Sequence, residues 1–536
     1  MKHNAYSEFH LLMAKCSTAF FLFIFISTAF SQVTQPARFE RQQKNSDDYF
    51  NIVSLKEKGI ALFRERDKFK NSNRIWELVL LDTALQEKQT AELEIKERYK
   101  LLGYEVTPDV LYFLFRTGET TKNDFELIAI NLSTGADVRY TIKPELDFKL
   151  THFCKVAENF AFGGYVNNDP AIFLYELSST HIKAVPGFFQ KETELVDMRV
   201  NQNQTFNVVM VDRGTKGNRN LIFRTFDPSG NLLLDDIVLI EENKTLQAGI
   251  TSTLEREDLI LLGTWGERNS KQSNGFFSLS IDPFNDQKVN YVPFGQLTHF
   301  LDYLKPKRAE KIKEDTRSDM EQGRIPSFIN YVMPYKITEH KEGFLLLAEV
   351  YQPSSSLNPY YNSPYYNPYY SPYSYNSYWP GYYYPGMSRM YRPTPYGSNV
   401  KNSDEIKTSE TVLIAYDNKG QVKWDQSITL DELKMASLEQ VADFSMHNGK
   451  VHFAYRKEME IRIKTVLLSE DSVSSYTEKI KTKDPVEEIR SEKDGEGSIK
   501  HWYNNIFYTY GYQTIRNVTK EDRVRDVFYI NKVVIP

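Results

Sequence analysis

Residues 411–428 read TVLIAYDNKGQVKWDQSI. An apolar run ends at Tyr416, the polar stretch Asp417-Asn418-Lys419-Gly420 follows, and a second run carries Trp424. Asn and Gly accept the positive φ that a tight hairpin demands, so the stretch is read as two antiparallel strands joined by a turn. The pattern recurs at 127–142 (LIAINLSTGADVRYTI) and 221–240 (LIFRTFDPSGNLLLDDIVLI), and more weakly at 75–95, 172–185, 276–292 and 463–480. A last copy, 527–535, stops after one strand.

Ahead of each hairpin stands a short apolar strand: 59–63 (GIALF), 110–115 (VLYFLF), 160–165 (FAFGGY), 206–211 (FNVVMV), 259–265 (LILLGTW), 344–350 (FLLLAEV), 451–455 (VHFAY) and 506–510 (IFYTY). Near-continuous apolar runs rich in Val, Phe and Tyr suit strands buried on both faces. The unit is strand, strand, turn, strand, strand, repeating about every 46 to 62 residues, with one interval lengthened by two insertions. Four-stranded units at this period predict an all-β chain folded as a β-propeller over 49–536, of eight blades, or seven if one weak copy is not a blade. The truncated last copy lacks a partner strand. Residues about 37–48, in an N-terminal segment 32–48, are expected to supply it, because a ring must leave no open edge.

The 536 residues are 41% hydrophobic and 26% charged, a globular balance that excludes collagen, wholesale disorder and a polytopic membrane protein. A net charge of −5, from 66 basic and 71 acidic residues, leaves no basic excess for phosphates and argues against a nucleic-acid partner. Aromatics stand out at 14%, with 35 Tyr and 34 Phe. Lys2, His3 and Lys15 precede the apolar run 17–30, which is short for a membrane span, and small residues follow at Ala29 and Ser31. This pattern reads as a signal peptide, 1–31, cleaved near Ser31 and Gln32, with no transmembrane span in the mature chain. The Phe-Ser-Gln ending resembles exported proteins of the Bacteroidota, and the expected location is the periplasm, with a peripheral place at the outer membrane as an extension of that expectation. Cleavage removes Cys16 and leaves Cys154, which lies in an apolar strand pattern and reads as an inert buried thiol; no intramolecular disulfide can form, so a large core must hold the fold.

Two insertions lengthen one interval, the second of them interrupting the sixth unit. The first, 303–325, contains KPKRAEKIKEDTRSDMEQG and reads as a charged helix with a thin apolar stripe of Ala309, Ile312, Thr316 and Met320. The second, 354–399, is a low-complexity run of Tyr, Pro, Ser and Asn, whose prolines forbid regular structure. Tyrosine offers a broad apolar ring with a polar tip, as in binding loops. Tyr360, Tyr361, Tyr365, Tyr366, Tyr369, Tyr370, Trp379, Tyr382, Tyr383 and Tyr384 are therefore the candidate partner-binding residues.

No phosphate loop, dinucleotide fingerprint, HExxH, Gly-x-Ser-x-Gly, CxxC or sialidase Asp-box is present, so no catalytic, metal or cofactor residue is assigned. His447 and His452 flank the turn Asn448-Gly449 and can approach, but a satisfied strand histidine is the plainer reading. Asp235 and Asp236 are adjacent on a strand and point to opposite faces. Asn167-Asn168-Asp169 is a turn that binds calcium only with ligands from elsewhere. Trp265, at a strand end, is read as blade packing in preference to a sugar-stacking ring. Asp82-Thr83-Ala84 and Asp471-Ser472-Val473 resemble short O-glycan acceptor sites.

The turn Asp417-x-x-Gly420 followed by Trp424 resembles the repeat of the quinoprotein-like (PQQ-like) propellers, within the wider WD-repeat-like class. Ser133-Thr134-Gly135 and Pro228-Ser229-Gly230 occupy equivalent turns without the tryptophan. The resemblance implies a propeller fold. That family holds quinone-dependent dehydrogenases, many with a vicinal cysteine pair that is absent here, and a non-catalytic periplasmic scaffold of the outer-membrane barrel assembly machine. The expectation is a non-enzymatic periplasmic scaffold, without cofactor, that docks on an envelope or outer-membrane complex for protein assembly or export, its Tyr-rich loop occluding a translocon or barrel mouth. The alternative is a secreted propeller that binds or processes glycans.

Overall fold

The computed structural model describes residues 33–117, 124–167, 169–188, 193–212, 219–252, 259–268, 270, 272–282, 287–329, 331–353, 406–435, 440–493, 497–517, 519 and 524–536. The strands pair into eight antiparallel sheets, and the chain is an eight-bladed β-propeller. Blades 1 to 7 span 51–96, 100–142, 148–184, 193–240, 244–293, 331–435 and 443–479, each a meander of four strands. All eight repeats read from the sequence, weak copies included, are blades. First strands of neighbouring blades touch one another, for instance Phe148–Val156 with Thr193–Val200, and so form the hub.

Blade 8 departs from the meander. Two short strands, Glu487–Glu492 and Ser498–Tyr503, share one edge of Ile506–Asn517, which pairs with Val524–Val534. The fourth strand comes from the other end of the chain: Thr34–Gln42 pairs with Val524–Val534, Phe39 opposite Ile530. The segment expected to close the ring, about 37–48, thus begins earlier and ends at Gln42, because the following residues must cross from the rim of blade 8 to the hub strand of blade 1, Asn51–Ser54.

Alternation places the core. In Val110–Arg116 of blade 2, Leu111, Phe113 and Phe115 face blade 1 while Tyr112 and Leu114 face blade 3. Burial on both faces explains why the run reads as continuously apolar. The core is accordingly divided into wedges, one for each pair of neighbouring blades, including a wedge of Phe50, Ile52, Leu62, Trp502, Tyr508 and Phe528 that joins blade 8 to blade 1.

The turn that opened the sequence reading is held by its aspartate. One Asp417 oxygen accepts the amides of Lys419 and Gln421, each at 2.9 Å, and Gly420 takes φ +77°. Asp82 and Asp227 repeat the arrangement in blades 1 and 4. Asp82-Thr83-Ala84 falls between the third and fourth strands of blade 1, whereas in Asp471-Ser472-Val473 only Asp471 precedes the fourth strand of blade 7, which begins at Ser472.

The helix expected within 303–325 spans Pro306–Glu321, with proline at its first turn, where a missing N–H does no harm. Ala309 and Ile312 pack on the wedge between blades 5 and 6, and Thr316 is buried against Gly295, where a Cβ would lie 2.2 Å from the Thr316 hydroxyl. The stripe is thin because only this much of the helix meets the ring; Met320 stays exposed.

Candidate interaction face

Strand direction decides where the insertions emerge. In a meander, first-to-second and third-to-fourth connections lie on one face of the disc; second-to-third connections and the links between blades lie on the other. The helix sits in the link from blade 5 to blade 6, and residues 354–405 join the second and third strands of blade 6, Gly343–Pro353 and Ile406–Tyr416. Both insertions therefore leave the ring on the same face. The candidate residues from Tyr360 to Tyr384, Trp379 among them, lie outside the described residues, as do Ser31, Gln32 and Asn168.

The roots of the long insertion are ordered by pairing: Pro353 stands opposite Ile406, which stands opposite Met435. Beneath them Met333, Tyr335 and Tyr351 are buried together with Tyr331 and Ile406 at their margin, the Tyr331 and Tyr351 rings 5.6 Å apart. This aromatic footing belongs to blade 6 and was not singled out in the sequence; the alternating tyrosines at 331, 335 and 351 were its signal.

The link that carries the helix is pinned to blade 6. Asp425 accepts the amides of Thr298 (2.8 Å) and His299 (2.6 Å), and the Ser427 hydroxyl donates to the His299 carbonyl at 3.0 Å. His299 lies 2.9 Å from Asp302, whose hydrogen bond raises the imidazole above its ordinary value. Lys313 of the helix donates to the Thr298 carbonyl at 2.6 Å. Glu410, close by on the third strand, is fully buried, and burial pushes its carboxyl well above its ordinary value.

Carboxylates also tie blade to blade. Asp197 of blade 4 accepts the Thr251 amide (2.8 Å) and hydroxyl (2.9 Å) of blade 5. Glu349 of blade 6 accepts the amides of Val441 and Ala442 at the entry to blade 7 and the Thr411 hydroxyl; burial raises it to about 7. Asp443 of blade 7 accepts the His501 amide of blade 8 and meets Lys336 at 3.1 Å. Burial alone would raise the Asp443 carboxyl, but Lys336, His501 and Lys500 outweigh it and hold it below its ordinary value. These groups act as staples: their donors are backbone amides and partners on the neighbouring blade.

The remaining residues weighed for chemistry are structural. Trp265 is buried, edge-on to Tyr291 at 5.4 Å, so its ring reaches no sugar. Cys154 is buried, and burial raises its thiol well above the ordinary value. His452 is buried with its ring bonded to Thr465 at 2.9 Å, while His447 lies exposed at the end of the preceding strand. Asp235 pairs with Arg224 at 2.8 Å, and Asp236 turns the other way to Gln287. Among the described residues no group of three or more His, Cys, Asp or Glu is placed to hold a metal ion, and no helix is long and apolar enough to cross a membrane. A cleft of about 460 Å³ opens where the chain ends meet, lined in part by Gln43, Tyr49, Glu492, Lys493 and Tyr512.

No family model and no curated protein matches the chain. Solved structures resemble it at low identity. A polysaccharide lyase superposes with a TM-score of 0.38 at 8% identity, over 94% of this chain and 100% of the lyase chain. The prolyl oligopeptidase B of Galerina marginata gives 0.38 at 10% identity over 88% of this chain, which spans 56% of that peptidase. The propeller domain of the trilobed protease from Pyrococcus furiosus, which has an open velcro topology, gives 0.33 at 11% identity over 81% of this chain and 93% of that domain.

Proposed function

We propose that the chain is a non-enzymatic scaffold of the periplasm, exported by its signal peptide, which holds an envelope or outer-membrane protein complex against the face that bears both insertions. One observation carries the reading: the helix Pro306–Glu321 and the connection that holds the Tyr-rich segment 354–399 leave the ring on one face, rooted in blade 6 and the link that precedes it. A propeller is a rigid disc, and loops on one of its faces share a common orientation toward a partner. Asp425 and the aromatic footing of blade 6 fix those roots in an ordered base. The Tyr-rich segment, entering a barrel or translocon mouth, supplies the contact. Affinity purification from envelope extracts tests this: a chain lacking 354–399 is expected to lose the proteins that the full chain retains. Recovery of the same set in the same yield would overturn the assignment of the contact to this face.

A further inference from the structure

The rim of the disc is made of eight outer strands, each with one edge unpaired within its sheet. Natural edge strands are blunted by charge, proline or brevity. Blade 1 ends in EKQTAELEIK and blade 8 in TQPARFERQ, polar outward, blade 7 ends in SVSSYTEK with Val473 its one exposed apolar side chain, and blades 3 and 5 end in strands of three and four residues. Blade 4 does not follow this rule. Its outer strand, Leu232–Ile240, reads LLLDDIVLI, and Leu232, Leu233, Ile237 and Leu239 are exposed by 50, 59, 60 and 59%. The alternation accounts for it: Leu234, Val238 and Ile240 pack toward blade 5, so Ile237 and Leu239 point away from that wedge. At the start of the strand the pairing with Phe226 slips by one residue at Leu233, which adds a second apolar side chain to the exposed set.

We propose that this edge receives an extended segment of a partner protein, which adds as a further strand to blade 4 and carries apolar side chains at alternate positions with basic residues beside them. Nine residues make an edge about 30 Å long, enough to fix a segment by main-chain bonds along its length. Charge selects the occupant. Asp235, Asp236, Glu241 and Glu242 lie on the strand or just beyond it. Arg224 pairs with Asp235 and Lys244 with Glu241, which leaves Asp236 and Glu242 without a cation among the described residues. A second copy of the chain fits poorly: an antiparallel register that sets Leu233 against Leu239 brings Asp236 onto Asp236 of the copy, and like charges directly opposite destabilise a ladder. A single strand edge also covers well under the ~800 Å² per partner of a stable dimer interface. This site lies on the rim and stands independently of the face described above.

A fluorescently labelled nine-residue peptide of alternating isoleucine and lysine is the probe, with a version carrying two central prolines as control. Anisotropy is expected to show saturable binding of the first and about ten-fold weaker binding or none of the second. Hydrogen exchange is expected to slow at the amides of 232–240 on binding. The combined change Leu233→Lys, Ile237→Lys and Leu239→Lys should abolish binding, and Ile237→Lys alone should weaken it if the combined variant does not fold. A chain lacking 354–399 should bind the peptide unchanged, which separates this site from the insertion-bearing face. Equal binding of both peptides, protection elsewhere in the chain, or indifference to Ile237→Lys would overturn the proposal. So would sedimentation of the chain alone as a dimer that Ile237→Lys dissolves, since the edge would then serve a second copy.

Discussion

Glu349 shows what one buried carboxylate does here. Two backbone amides and a hydroxyl of blades 6 and 7 converge on it. Glu349→Ala leaves those donors buried without an acceptor, and the expected loss is about 3 kcal/mol in urea unfolding, against about 1 kcal/mol for Thr411→Val, which removes one donor only. Acidity adds a second residue-level test. His152 and His452 are buried, and burial pushes both imidazoles down to about 4. Between pH 6.5 and 4 the unfolded chain therefore binds more protons than the folded one; the stability these residues contribute is full above pH 6.5 and is lost as pH falls through 4. Glu349 has the opposite sign: raised to about 7, it contributes fully below about pH 4.5 and loses that contribution as pH rises through 7. His152→Gln is expected to shrink the loss of stability between pH 7 and 4.5 by about 1–3 kcal/mol, read from urea midpoints at the two pH values. An unchanged loss would mean that His152 is already charged in the fold.

At the scale of the element, the link between blades 5 and 6 is an appended piece held by few bonds. Asp425→Ala removes the acceptor for the Thr298 and His299 amides. Hydrogen exchange at 297–304 is expected to quicken about ten-fold while global unfolding shifts by less than about 2 kcal/mol, since the wedge under the helix remains. Equal acceleration throughout blade 6 would show the link to be part of the blade. The same scale explains which parts of the fold the sequence disclosed. Runs such as VLYFLF announced themselves because both faces are buried, and the helix because its charged stretch opens on Pro306. The closing strand TQPARFERQ has Phe39 as its one buried side chain, so no apolar alternation marks it; Arg38 and Glu40 fix it through polar contacts. In LLLDDIVLI the apolar run reads as core although half of it is exposed, because a hydrophobic pattern records that a strand exists and not whether a neighbour covers its outer flank. The aromatic footing under the long insertion was hidden for a related reason: its members sit far apart in sequence and meet only through strand pairing.

The whole molecule depends on joining its two ends. An open ring would expose the apolar sides of both blade 8 and blade 1, which closure turns into a single wedge. The chain crosses between those blades through a knot of charges: Arg64, almost wholly buried, donates to Glu77 at 2.8 Å, Arg41 of the closing strand reaches the other Glu77 oxygen at 2.5 Å, and Arg66 joins Glu77 to Asp47. Burial alone would raise the Glu77 carboxyl, but Arg41 and Arg64 overcome it and hold it below its ordinary value, so it is ionised across the working pH range. A buried pair contributes little relative to apolar packing, yet removing one member strands the other. Glu77→Ala is therefore expected to destabilise the protein by about 3–5 kcal/mol, because it leaves Arg64 in the core with Gln43 at 2.7 Å and Asp47 at 3.8 Å, and leaves Arg41 tied to blade 1 through the more exposed Glu87. The loss should be localised: limited proteolysis is expected to release 33–50 first, ahead of cuts in blades 3 to 5, whose wedges do not involve the chain ends. The joint variant Arg64→Met with Glu77→Leu, which replaces the pair by apolar side chains, is expected to recover much of the stability but not the early protection of 33–50, since Arg41 then holds blade 1 only through its partly exposed pair with Glu87. If the joint variant restored both, packing alone would close the ring and the charges would be incidental; if it restored neither, the knot would be needed to route the crossing chain at all.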